Sequence, residues 1–201
     1  GRMEDYFIWA ITGGIISLVI VLLSYMGFFS RVQWHTEETD ELILAYSNFD
    51  GPYMEIDRQG RLLRDKISEL CPGAIDKKQT VHVYYDDPRF TTESAKWAVA
   101  CEVSEDVLDV LSLNSISYIR IPPGICLTVE FPYRNLFSYG IGARKAFDTM
   151  VATALEKGIK IAAPPMEFYT EKSPRIRYRL YLDNTEVIKY MGETPFETIL
   201  P

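Results

Sequence analysis

Histidine is almost absent from this chain, which holds only His35 and His82. Two isolated imidazoles exclude a histidine-based metal centre and a serine triad. The three cysteines, Cys71, Cys101 and Cys126, have no short spacing between them. No CxxC or Cys/His zinc pattern results, and an odd set of this kind reads as free thiols of a reducing compartment. Positive charge is also short. Lys and Arg number 21 against 28 Asp and Glu, a net −7. An acidic chain repels phosphate backbones, so nucleic-acid binding is excluded. Gly140-Ile141-Gly142 lacks the rest of a phosphate-loop pattern and reads as a packing feature. No metal site and no cofactor is expected.

A further absence is local. Residues 6–29 contain no charged side chain. Such a helix reaches about 36 Å, against about 30 Å for a bilayer core. A signal peptide would carry an apolar core of only about 7–15 residues before a small-residue cleavage site, whereas this run leads into Phe28, Phe29, Ser30 and Arg31. The expectation is an uncleaved anchor over residues 1–30. Tyr6, Trp9, Tyr25 and Trp34 lie near its two ends, where amphipathic rings favour the headgroup level. Arg2 and Arg31 nearly cancel as orientation signals. Ala10, Gly13, Gly14 and Ser17 form a small-residue patch that can pack on a second helix. Met3 reads as an initiator behind two extra residues, or else the chain follows a removed targeting peptide.

Past the anchor, the polar stretch 31–40 is expected to be a spacer. Alternation around Leu42, Leu44 and Tyr46 marks a strand. Leu62, Leu63, Ile67 and Leu70 mark a helix over 59–71, stopped by Pro72-Gly73. Strands are expected at 80–86 and 97–103, and a short helix at 104–113. The second half repeats the order: a strand at 125–131, a helix at about 136–157 ended by Gly158, and strands at 165–170 and 176–182. Strand, helix, strand, strand, given twice, implies an internal duplication. Phe49-Asp50-Gly51-Pro52-Tyr53 and Phe131-Pro132-Tyr133 are its sequence trace. Two such halves can pair across a pseudo-two-fold, giving an α+β domain over 41–183: a curved antiparallel sheet with both helices on one face. The open face would be the ligand cleft. Residues 184–201 are a C-terminal extension.

Val83-Tyr84-Tyr85-Asp86-Asp87-Pro88, Phe131-Pro132-Tyr133, Ala143-Arg144-Lys145 and Met166-Glu167-Phe168-Tyr169 carry a resemblance. The chain resembles the GyrI-like (SOUL-type) domain family and, within it, the testis-expressed protein 264 family, single-pass receptors for autophagy of the endoplasmic reticulum. The resemblance implies a luminal N-terminus, a cytosolic domain with a ligand-type cleft, and a disordered tail whose aromatic-x-x-aliphatic motif docks on ubiquitin-like autophagy proteins. It also implies that the glutamate of an E-x-Y strand, here Glu167, lies in the pocket. There it meets cationic ligands or, in some members, acts in hydrolysis of strained rings. The chain departs from the pattern in having only 184–201 beyond the domain.

Strand alternation puts Glu167 and Tyr169 on one face and Met166 and Phe168 on the other. With the apolar pair turned to the helices, Glu167 and Tyr169 would face the open cleft. Glu167 could act there as an acid or base, or simply pair with Arg177 or Arg179 on the next strand. Tyr84, Trp97, Tyr118 and Tyr181 could line the same cleft and favour a cation or a flat ligand, or be ordinary sheet packing. Arg58, Arg61 and Arg64 form a basic stripe read as a solvated helix face. Phe196-Glu197-Thr198-Ile199 fits the docking pattern, with Phe196 and Ile199 as its anchors, or else Phe196 packs back on the domain.

Three functions follow. The chain is a non-catalytic membrane adaptor or autophagy receptor in the endoplasmic reticulum. Alternatively it is an accessory subunit of a larger membrane complex, with the mitochondrial inner membrane as the other location. The third is a small-molecule binder or hydrolase working from Glu167. Catalysis is not expected as the main role, because no partner acid, base or oxyanion donor is evident beside that carboxylate.

Overall fold

The computed structural model describes residues 2–75, 79–91, 93–135, 137–170 and 174–197. It opens on a helix, α1 (Arg2–Tyr25), that is long and apolar enough to cross a membrane, with no residue buried against the domain. Gly27 ends it at φ +83°. Phe28 N–H returns to Leu23 O and Gly27 N–H to Ser24 O, the paired bonds that close a helix on a left-handed glycine. Carbonyls just past the helix also meet a cation. Lys145 Nζ donates to Gly27 O at 3.3 Å, to Ser30 O at 2.9 Å, and to Phe28 O. The exit of α1 is thereby fastened to the domain.

The domain is α+β. Its eight strands are β1 (Trp34–Thr39), β2 (Leu42–Gly51), β3 (Thr80–Tyr84), β4 (Ala95–Glu102), β5 (Ser117–Ile121), β6 (Gly124–Pro132), β7 (Met166–Tyr169) and β8 (Arg175–Tyr181). They form one antiparallel, curled sheet in the order β1-β6-β8-β7-β3-β4-β2-β5. Helices α2 (Ile56–Leu70), α3 (Leu108–Leu113) and α4 (Phe137–Lys157) cover one face. The two β-α-β-β halves are visible in the strand order: β6-β8-β7 mirrors β2-β4-β3, and the halves join where β3 pairs with β7.

The expected strands and helices fall close to their expected places, and Gly158 sits past α4 at φ +63°. Two strands escape the sequence pattern. Residues 34–39 are not a spacer but β1, paired with β6 from Trp34↔Val129 to Thr39↔Gly124. Residues 117–121 are β5, paired with β2. Each half thus passes its leading strand to the far edge of the other half.

The sheet is apolar on both faces. Toward the long helices it presents Ile43, Ala45, Trp97 and Val99 to α2, and Leu127, Val129, Phe131 and Tyr178 to α4. The other face carries Leu44, Val81, Val83, Met166 and Phe168. It is closed by α5 (Thr185–Lys189), whose Ile188 is fully buried, and by Met191. Residues 184–197 are therefore part of the packed domain rather than an extension.

Candidate functional site

The two-sided burial decides which way Glu167 points. Met166 and Phe168 fill the core under α5, so Glu167 and Tyr169 turn toward α2 and α4. This reverses the expected orientation, because a sheet covered on both sides gives its apolar residues no unique direction. The register removes the expected ion pair as well. Glu167 stands opposite Tyr178, while Arg177 and Arg179 oppose Phe168 and Met166. Arg179 instead bonds Glu37 of β1 at 2.7 Å, and Arg177 lies 4.0 Å from Glu130.

Glu167 is 0% exposed and is held by two neighbours on its own face. His82 Nδ1 lies 2.9 Å from Oε1, and Tyr84 donates its hydroxyl to Oε2 at 2.9 Å. His82, directly across the β3–β7 seam, is itself 3% exposed. Burial and the Glu167 charge push the Tyr84 hydroxyl far above its usual range, which keeps the proton on Tyr84 and fixes it as the donor. Tyr178, also buried, lies close enough to feel the same carboxylate but makes no well-formed hydrogen bond. A bonded histidine thus stands beside Glu167, contrary to the expectation drawn from sequence.

A cleft of about 190 Å³ opens above this group, between the two long helices. One wall is α2, with Asp57, Gly60, Arg61 and Arg64. Thr80 and His82 form the floor. The opposite wall is a triangle of tyrosines: Tyr133, Tyr139 and Tyr169, with ring centroids 5.0–5.6 Å apart. The arginines read as a solvated stripe therefore include two that line the cleft. A larger cavity, about 520 Å³, lies between the β2–β4 region and residues 192–197. On its wall Tyr85 donates to Asn48, and Asp87 is held by Arg89. The smaller cleft is the one seated on a buried ionisable pair.

Of the sequence-derived site residues, the structure brings together Glu167, Tyr169 and Tyr84. Trp97 is elsewhere, stacked on Phe49 at 5.0 Å with its indole N–H bonded to Gly51 O. Tyr118 is on edge strand β5, 40% exposed. Tyr181 faces the α5 side. Phe196 is not free to dock: it is 6% exposed, packed in the cluster of Tyr84 and Phe131, with its N–H on Lys189 O. Ile199 lies outside the described residues. His82, Tyr133 and Tyr139 were missed. For His82 the available signal is alternation within β3, which sets it beside Tyr84 on one face. Among the described residues no cluster of His, Cys, Asp or Glu could hold a metal ion.

Solved structures share this architecture. The C-terminal domain of EcmrR matches with a TM-score of 0.57 at 14% identity, over 75% of this chain and 96% of that one. The fold is GyrI-like. EcmrR in its DNA complex gives a TM-score of 0.57 at 16% identity, over 89% of this chain and 68% of that one. A protein solved bound to tetraphenylphosphonium matches at a TM-score of 0.49, with 10% identity over 74% of this chain and 93% of its own. No family model and no curated protein matches by sequence. Within the GyrI-like fold, nothing in these comparisons supports the narrower resemblance to the testis-expressed protein 264 family.

Proposed function

We propose that the chain is a membrane-tethered ligand-binding domain: α1 crosses a bilayer, and the GyrI-like domain holds a small molecule between α2 and α4. The observation that carries this reading is the buried Glu167, pinned by His82 and Tyr84 beneath a tyrosine-walled cleft. A buried carboxylate is costly to maintain in a fold, and its position under an open cleft favours recognition over stability alone. Binding rather than turnover is the reading for the site, because both carboxylate oxygens are already occupied by the protein's own groups. Thermal-shift screening of the full chain in detergent against small organic ions tests it. A hit lost in Tyr139→Ala supports the cleft. Hits that ignore Tyr139→Ala and Tyr169→Ala reject it.

The resemblance also supports an adaptor role, with the domain on the cytosolic side of the endoplasmic reticulum and the ligand as its regulator. What favours this is the apolar helix α1 joined directly to a folded domain. Docking on ubiquitin-like autophagy proteins would need a segment other than the packed Phe196. Retention of the full chain on such a protein supports the role, and loss of that retention on mutating an exposed segment locates the contact. No retention rejects it.

A further inference from the structure

The junction between α1 and the domain has no spacer. α1 ends at Tyr25, and a Cβ at Gly27 would already lie 2.9 Å from the Phe131 ring of β6. Lys145 of α4 then holds the carbonyls of Gly27, Phe28 and Ser30. The uncharged run continues to Phe29, and the first charge past it is Arg31. Aromatic rings followed by a cation mark headgroup level, and Phe28 and Phe29 are both exposed there. A span ending at this level sets Lys145 and its surroundings at the same height. From the exit the chain runs along α4: Phe28 lies by Lys145, and the Trp34 ring lies 4.7 Å from Lys157 Nζ. The C-terminal half of α4 therefore leads away from the exit, and its N-terminal half, 137–145, is the part turned to it.

These surroundings are cationic in an acidic protein. Residues 26–36 and 131–147 contain Arg31, Arg134, Arg144 and Lys145 and no Asp or Glu, whereas the whole chain carries −7. Arg31, Arg134 and Arg144 are exposed, and among the described residues none of the three is paired with a carboxylate. Arg134 is held at the start of α4, its N–H donating to Ser138 Oγ at 3.0 Å. The carboxylates that flank this second segment are already neutralised: Glu130 by Arg175 at 2.9 Å and Asp148 by Arg89 at 3.1 Å. Phe137 lies two turns before Arg144 on the same side of α4 and is 69% exposed. An anionic leaflet attracts cations held within about 8 Å of its surface at physiological salt, and its headgroup layer takes up exposed aromatic rings.

We infer that the domain lies on the membrane that α1 crosses, with the face of Arg31, Arg134, Arg144 and Phe137 against anionic lipid headgroups. This rests on the proposal that α1 spans a bilayer and goes beyond it: the domain is seated on the leaflet in one orientation instead of swinging on a tether.

The test places the full chain in lipid discs of phosphatidylcholine, alone or with about one third phosphatidylserine. A gadolinium chelate carried on a few headgroups broadens amide resonances close to the bilayer surface. The expected result is strong broadening at residues 137–145, rising further with phosphatidylserine, and weak broadening over α3, which packs beside β5 at the opposite edge of the sheet. The double variant Arg134→Gln/Arg144→Gln should lose about half of that rise or more, since two of the four cations are gone. Both side chains are exposed, and an unchanged melting temperature shows that the variant keeps its fold. A water-soluble gadolinium chelate reads α1 in the same samples. If α1 is shielded but residues 137–145 broaden no more than α3, the inference falls while the crossing stands. Equal broadening in both kinds of disc, untouched by the double variant, overturns the contact with anionic lipid. If the soluble chelate broadens residues 6–25 throughout, α1 does not cross, and the inference falls together with that reading.

Discussion

Two glycines of α4 stand two positions apart and meet opposite surroundings. A Cβ on Gly140 would touch nothing within 4 Å, whereas one on Gly142 would come 2.7 Å from Phe131 Cδ1 and 2.8 Å from the Tyr178 hydroxyl. Both lie inside a helix, so replacing either by alanine gains about 1 kcal/mol of helix propensity. That gain cancels when the two variants are compared. What remains is the cost of forcing a methyl into the Phe131–Tyr178 contact, about 1–3 kcal/mol for overpacking. For a protein of this size, each kcal/mol moves the melting temperature by about 2–4 °C. Gly140→Ala should therefore melt slightly above the parent, with Gly142→Ala about 2–12 °C below Gly140→Ala. Near-ultraviolet circular dichroism during heating in detergent measures both. Equal melting temperatures would refute the close packing of α4 on the β6–β8 face, and with it the placement of the cleft wall.

Phe196→Ala should cost about 3 kcal/mol, the scale of emptying a buried aromatic site, measured by urea unfolding; an effect near zero would restore Phe196 as an exposed docking anchor. Lys145→Met should speed amide hydrogen exchange at residues 27–31, because their carbonyls lose the ammonium that ties them to α4. Unchanged exchange there would mean that the exit of α1 is not held by this contact. Burial pushes the thiols of Cys101 and Cys126 up to about 12 and about 11, from a usual 9.0. The unfolded chain ionises first, so the stability these thiols contribute is present below pH 9 and lost as pH rises through 11–12. Urea midpoints that stay constant over that rise contradict this burial. At neutral pH an alkylating reagent should accordingly label half-exposed Cys71 first.

The elements legible in the sequence are those with a single apolar side. The stripe of α2, the run of α4 ended by Gly158, and the alternation of β6 and β8 all identify themselves. Strands β1 and β5 do not. WHTEET is too polar to look like a strand, and its partner β6 begins 85 residues after β1 ends, at Gly124 opposite Thr39. The candidate site was half legible. The E-x-Y pattern marks Glu167 and Tyr169, but the direction they face depends on α5, a five-residue helix with little signal. His82 was set aside because no second histidine stood near it. Its partner was a glutamate on the other half of the duplication, a pairing that only the β3–β7 seam creates.

The exchange of leading strands bears on how this chain is made. β1 emerges from the ribosome long before β6, and β2 likewise waits for β5. Contacts so distant along the chain form slowly, since the loop must close before any bond rewards it. During synthesis the first half has β2, β3 and β4 ready, with β2 open along one edge and the β7 side of β3 bare. Unpaired edges of that kind attract foreign strands. If α1 enters a membrane as proposed, the nascent half is held in two dimensions beside other nascent chains. Those edges stay open until β5, Ser117–Ile121, covers β2 and β7, Met166–Tyr169, covers β3.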